Sequence, residues 1–278
     1  MLEEHSASGP AQPVAATKDA SGESREVENG TQRALNGAGR LSEAAVAVEG
    51  AKVDRGEMLR YLGHAGQEIA PELAARIDGA VELCERTSAP RFSWRTFPVR
   101  RGYDDQGKPV LKLEGSTLEL PGADISAHLE GATECVVLAC TLGLSNEREA
   151  RRLAAVDATT AALFSAAGSA LVETVADMCS ADALAAAKER GLTAGSRFSP
   201  GYGDLPLSVQ PHIVRILGAD RRIGMTPTQG GFVVPAKSVT AFMGLFEGPR
   251  AAVDRRSCVA CPARERCMLR KMGTPCYR

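Results

Sequence analysis

The sequence is poor in aromatic residues, in histidine and in net charge. Seven Phe, four Tyr and one Trp are spread over 278 residues, and 34 acidic side chains against 33 basic ones leave a formal charge of -1. A chain so nearly neutral has no overall field to draw in nucleic acid or an anionic membrane surface. No apolar run approaches the roughly 18–20 residues that cross a bilayer. The first residues, Met1-Leu2-Glu3-Glu4, lack the basic start and apolar core of a secretory signal. The expected setting is the cytoplasm, with no nucleic-acid and no membrane partner. The glycine-rich dinucleotide and Walker patterns are both missing. The four histidines, at 5, 64, 128 and 212, form no metal-ligand pattern with one another, and no Ser-His-Asp or Cys-His arrangement can be argued from residue order.

What is present describes an ordinary globular chain, 44% hydrophobic and 24% charged, long enough for one large domain or two small ones. Residues 1 to about 50 contain no Phe, Trp, Tyr or Ile, so they cannot bury enough apolar surface to offset their ordering entropy. Three regions follow: a disordered extension over 1–52, with a frayed helix as the alternative over 40–50, a folded domain over 53–248, and a tail over 249–278. Within the domain, Met58 to Leu62 has helical spacing. Pro71 suits the first turn of a second helix with Leu73, Ile77, Val81 and Cys84 on one face. Alternation over 91–101 predicts a strand. It forms a hairpin with the stretch 110–120 through a turn at Asp104-Asp105-Gln106-Gly107. Glu134 to Cys140 reads as a buried strand, followed by two Ala-rich helices at about 146–165 and 168–190, the second stopped by Gly191. A short helix at about 208–217 and strand-like residues from 230 to 246 complete an α+β fold, with long helices packed on a mostly antiparallel sheet.

Two segments carry chemistry. The first is Arg197-Phe198-Ser199-Pro200-Gly201-Tyr202-Gly203-Asp204-Leu205-Pro206. A Pro-Gly step makes a tight turn whose amides can approach a ligand closely. Arg197 offers a planar fork for a carboxylate and Tyr202 a ring for stacking or hydrogen bonding. The same residues also suit a plain structural turn with a surface arginine. The second is Cys258-x2-Cys261-x5-Cys267-x8-Cys276, four soft ligands within 19 residues in a tail whose eight basic and two acidic side chains give +6. Four thiolates so close suit structural zinc or an iron–sulfur cluster.

The segment Arg197-x-x-x-Gly201-Tyr202 resembles the R-x-x-x-G-Y motif of the S-adenosylmethionine-binding reactivation (activation) domain of cobalamin-dependent methionine synthase. Ile223-Gly224-Met225-Thr226-Pro227-Thr228 resembles that family's G-M-x-L-T segment, and Pro235-Ala236-Lys237-Ser238-Val239-Thr240 its P-x-x-S-V strand. Roughly residues 55–250 are covered, with specific motifs only between 197 and 244. The chain departs from the family where Gly203-Asp204-Leu205-Pro206 replaces a Pro-rich, Cys-containing continuation.

The resemblance implies an activation-domain-like fold and a cofactor site at Arg197, Pro200, Gly201 and Tyr202. Arg197 would lie near the methionine carboxylate of S-adenosylmethionine. It implies a methyltransferase-type activity: reductive remethylation of cobalamin on a separate methionine synthase, with flavodoxin or ferredoxin as electron donor. The cobalamin must come from that partner, because the Asp-x-His-x-x-Gly cobalt-ligating step is absent. An electron relay would favour a [4Fe-4S] cluster over Zn at Cys258, Cys261, Cys267 and Cys276. The acidic contact for the ligand amine has three candidates: Asp104, Asp105 and Glu173, the last also suiting a plain solvent-facing helix position. The alternatives are a reactivator of another corrinoid protein and a non-enzymatic, metal-stabilised binding module.

Overall fold

The computed structural model describes residues 43–248. In chain order these form strand β1 (Glu43–Ala47), helices α1 (Arg55–Tyr61) and α2 (Pro71–Thr87), and strands β2 (Arg91–Tyr103), β3 (Pro109–Leu113) and β4 (Glu119–Pro121). Helix α3 (Ala123–His128), strand β5 (Glu134–Thr141), helices α4 (Gly143–Val156) and α5 (Ala158–Lys188) and strand β6 (Leu192–Phe198) follow. A 3-10 turn (Leu207–Val209) leads into α6 (Gln210–Leu217) and α7 (Ala219–Arg222). The hairpin of β7 (Thr226–Pro227) and β8 (Val233–Val234) precedes the last strand, β9 (Ser238–Glu247). The seven-stranded sheet runs β4-β3-β2-β5-β9-β6, with β1 also paired to β2. All of its pairings are antiparallel. The fold is α+β.

Strand β5 reads as an unbroken apolar run because both of its faces are covered. Val136, Leu138 and Cys140 pack into a core with Met58 of α1, Ile77 of α2, Leu153 of α4 and the length of α5. Cys135, Val137 and Ala139 face a second core with Ile125 of α3, Ile213 and Leu217 of α6 and Ala219 of α7. Strand β9 splits in the same way, Ala241, Met243 and Leu245 to the first core and Phe242 and Phe246 to the second. The sheet is therefore the middle layer of three, and a side chain's parity along β6 or β9 decides which helices it meets. On the α5 side the single tryptophan, Trp94, is fully buried and donates its Nε1–H to Asp182 at 2.7 Å.

Several boundaries differ from the sequence reading. Glu43–Ala47, assigned there to the disordered extension, is a strand paired to Arg91–Arg95, so among the described residues regular structure reaches back to Glu43, ten residues before residue 53. The break between the two Ala-rich helices falls at Asp157, not near 166. The Asp157 carboxylate accepts from the Thr160 amide at 3.0 Å and starts α5, while Gly168 lies inside that helix with the Lys237 stem packed against it. Helix α5 also holds an 18-residue window of mean hydropathy 1.2, an apolar stretch of a length the sequence reading did not expect. Some 61% of that window is buried inside the fold, as expected of a core helix. Residues 1–42 and 249–278, with Cys258, Cys261, Cys267 and Cys276, lie outside the described residues. Among the described residues no group of three or more His, Cys, Asp or Glu could hold a metal ion.

Candidate ligand-binding cleft

The loop after β6 is built from two consecutive turns. The Tyr202 amide donates to the Ser199 carbonyl at 3.1 Å, with Pro200 and Gly201 (φ +90) at the central positions, the pattern of a type II turn. The Leu205 amide then donates to the Tyr202 carbonyl at 3.1 Å, and the Gly201 amide to the Leu205 carbonyl at 2.8 Å, closing the loop on itself. A clasp holds it to α3. The Asp204 carboxylate accepts from the amides of Ala123 (2.6 Å) and Asp124 (3.1 Å), while Asp124 accepts from the Asp204 amide at 3.1 Å. The departure at Gly203-Asp204 thus has a structural role: Asp204 caps a helix that begins some 80 residues earlier. Tyr202, 64% exposed, meets the Phe198 ring edge-on at 6.3 Å, and Phe198 in turn lies 5.0 Å from the His128 ring.

Arg197 precedes this loop on β6, opposite Met243 of β9 and just past a register shift. That parity aims it at α5. One guanidinium nitrogen donates to Asp177 at 2.7 Å and Ser180 at 3.1 Å, and the other to Glu173 at 3.1 Å. These three lie at i, i+4 and i+7, one stripe of α5. Of the five guanidinium N–H groups, two make no such contact. The Arg197 side chain is 24% exposed, whereas Glu173 and Asp177 are 44% and 74% exposed. Tyr61 of α1 lies close to the same stripe: burial, and after it the Glu173 charge, raise its phenol above the usual range, so it stays protonated.

Next to Glu173 opens a cleft of about 500 Å³. Ser199, Pro200 and Tyr202 form one wall, Gln210 and Thr240 the floor, and Phe232, Ala236 and Ser238 the facing wall. The floor is fixed by a bond from Thr240 Oγ1 to Gln210 Oε1 at 3.5 Å, both residues being buried. The facing wall follows a cis Val234–Pro235 peptide. Ser238 Oγ donates to the Pro235 carbonyl at 2.7 Å and stands 2.9 Å from Thr141 Oγ1. Phe232, 62% exposed, stands at the mouth like Tyr202.

Of the residues singled out in the sequence, Pro200 and Tyr202 line this cleft directly. Gly201 lies behind them, where a side chain would come within 3.1 Å of Leu207. Arg197 is not a lining residue, and its guanidinium is already engaged by α5 carboxylates rather than standing free. Glu173 does line the cleft, in place of the plain solvent-facing position weighed for it. Asp104 and Asp105 do not reach it. Asp104 is the hairpin turn's own acceptor, taking the amides of Gln106 and Lys108 at 2.8 Å each. The sequence reading missed Gln210, Phe232 and Thr240. The stripe Glu173-x3-Asp177-x2-Ser180, polar on a helix otherwise packed with Ala, Leu and Val, was the available signal.

No protein-family profile matches the chain, and no curated protein matches it. Among solved structures, the reactivation domain of MetH bound to AdoHcy is similar, with a TM-score of 0.54 at 18% sequence identity. The match covers 85% of this chain and 87% of that one. The likeness is one of fold: the chain shares that domain's α+β architecture of helices packed on a mostly antiparallel sheet.

Proposed function

We propose that the cleft binds S-adenosylmethionine by its amino-acid end. The domain would then serve, as a methyltransferase-type component, in the reductive remethylation of cobalamin on a separate methionine synthase. The observation that carries this reading is Glu173, which lines a cleft of about 500 Å³ and has the Arg197 guanidinium behind it at 3.1 Å. A zwitterionic amino-acid group needs one cation and one anion side by side, and the two unengaged N–H groups of Arg197 suit its carboxylate. Glu173, half-exposed and lining the cleft, suits its ammonium. The exposed rings of Tyr202 and Phe232 offer apolar faces to a planar base. The backbone of the Ser199–Tyr202 turn allows close approach.

S-adenosylmethionine supplies an activated methyl on a sulfonium. This chain's part is to bind it, orient it and keep it from water. Cobalamin and the electron donor, flavodoxin or ferredoxin, belong to partners. Cys258, Cys261, Cys267 and Cys276 are the proposed ligands of a [4Fe-4S] cluster or Zn in the tail. The test is calorimetric titration of S-adenosylmethionine into the full chain and into Arg197→Ala and Glu173→Gln. Loss of the charge-assisted carboxylate contact should weaken binding roughly ten- to a hundred-fold in Arg197→Ala. Absence of binding to the unaltered chain, or equal binding to Arg197→Ala, would overturn the assignment.

A further inference from the structure

A second cleft, of about 520 Å³, opens where the end of α2 meets the first turns of α4. Its lining brings together the guanidinium groups of Arg86, Arg148 and Arg152, the hydroxyls of Ser88 and Ser145, and a single carboxylate, Glu149. Arg152 holds Glu149 through two hydrogen bonds of 2.7 and 2.9 Å, so one arginine is neutralised. That bond, with weaker help from the Arg86 charge, keeps the Glu149 carboxyl below its usual range, and it stays ionised. Arg86 and Arg148 form no ion pair among the described residues. Three guanidinium groups thus share one carboxylate, an excess of two positive charges, and Arg86 and Arg148 are exposed to solvent there. Ser88 is fixed there by its own bonds: its Oγ donates to the Cys84 carbonyl at 2.6 Å and accepts from Asn146 Nδ2 at 3.0 Å. The first turn of α4 adds no acidic residue and no capping side chain to offset them.

We propose that this cleft binds a phosphate-bearing small molecule. A phosphate group presents several acceptor oxygens in different directions, which two planar guanidinium forks and the Ser145 hydroxyl can meet together, the Ser88 proton being committed to the Cys84 carbonyl. A lone carboxylate would leave one fork unmatched. The volume lies within the range of small-molecule sites. Nucleotide phosphates and free inorganic phosphate share this chemistry. The cleft shares no lining residue with the one beside Tyr202. It therefore stands or falls independently of the S-adenosylmethionine reading.

The experiment is calorimetric titration of the full chain with inorganic phosphate, pyrophosphate and ADP, at an ionic strength held constant with potassium chloride. A polyglutamate peptide is titrated alongside. The variants are Arg86→Gln with Arg148→Gln, and, as a charge-matched control, Arg100→Gln with Lys112→Gln. The control pair sits on the β2–β3 ribbon, where each residue already pairs with a glutamate. Circular dichroism melts check that both variants fold. The expected result is saturable binding that the cleft variant weakens about tenfold or more and the control leaves unchanged. ADP binding tighter than inorganic phosphate would mark a nucleotide as the source, and equal affinity would mark free phosphate. Three results would overturn the proposal: no saturable heat from any phosphate compound, equal loss in the control, or binding of polyglutamate without pyrophosphate.

Discussion

The clasp between the Tyr202 loop and α3 is testable through Gly203. Its φ of +54 lies in the left-handed region, and a Cβ there would fall 2.2 Å from Asp124 Oδ2 and 2.8 Å from Asp124 Cβ. Gly203→Ala therefore carries about 1 kcal/mol or more of backbone strain. It must also push the Asp124 carboxylate away, losing the 3.1 Å bond from the Asp204 amide, worth about 1 kcal/mol. The sum, about 2–4 kcal/mol with the residual Cβ contact, lowers the melting midpoint by roughly 5–12 °C for a domain of this size. Asp124→Ala alone forfeits the same bond and costs about 1 kcal/mol. Because both changes break that one bond, the double variant should fall short of the summed costs by about 1 kcal/mol. Urea unfolding followed by circular dichroism measures all four corners of the cycle. Costs that add to within about 0.3 kcal/mol, or a Gly203→Ala variant as stable as the parent, would refute the clasp.

Two further outcomes follow from burial and capping. Cys84, Cys135, Cys140 and Cys179 are all fully buried, and burial pushes the thiols of Cys84 to about 11 and Cys135 to about 12. Alkylation of the native protein at pH 8, read by intact mass, should therefore add no more than four labels, all on Cys258, Cys261, Cys267 and Cys276. A fifth label without denaturant would contradict the packing. Asp157 is held down from 3.8 to about 2, first by the Thr160 amide and hydroxyl and then by Arg76. A carboxyl depressed in the folded state stabilises above pH 4 and loses that contribution as pH falls toward 2. Asp157→Asn should flatten the fall in urea midpoint between pH 5 and 3 relative to the parent, and identical slopes would rule out this role.

The sequence showed the elements whose residues determine them locally, and it blurred those decided by distant partners. The β2–β3 hairpin was legible because Asp104 and Gly107 form its turn within four residues, and α2 because Pro71 opens it. Strand β1 was hidden: Glu43 to Ala47 carries no β-branched or aromatic residue except Val46, and only pairing with the Phe92 strand makes it extended. The Ala-rich helices were visible as helices, but their break was not, since Asp157 acts through a side-chain cap that composition does not register. The candidate site divides along the same line. The Pro200-Gly201 turn is local, and it was found. The acidic stripe on α5 matters only because β6 and β9 pair with Arg197 facing that helix, a fact of register that no window of sequence contains. The same register explains why Asp104 and Asp105 attracted attention as amine contacts although Glu173 is the one of the three that lines the cleft. A carboxylate beside a strand is conspicuous in one dimension, whereas a carboxylate 24 residues before its arginine becomes a partner only after the helix folds back across the sheet.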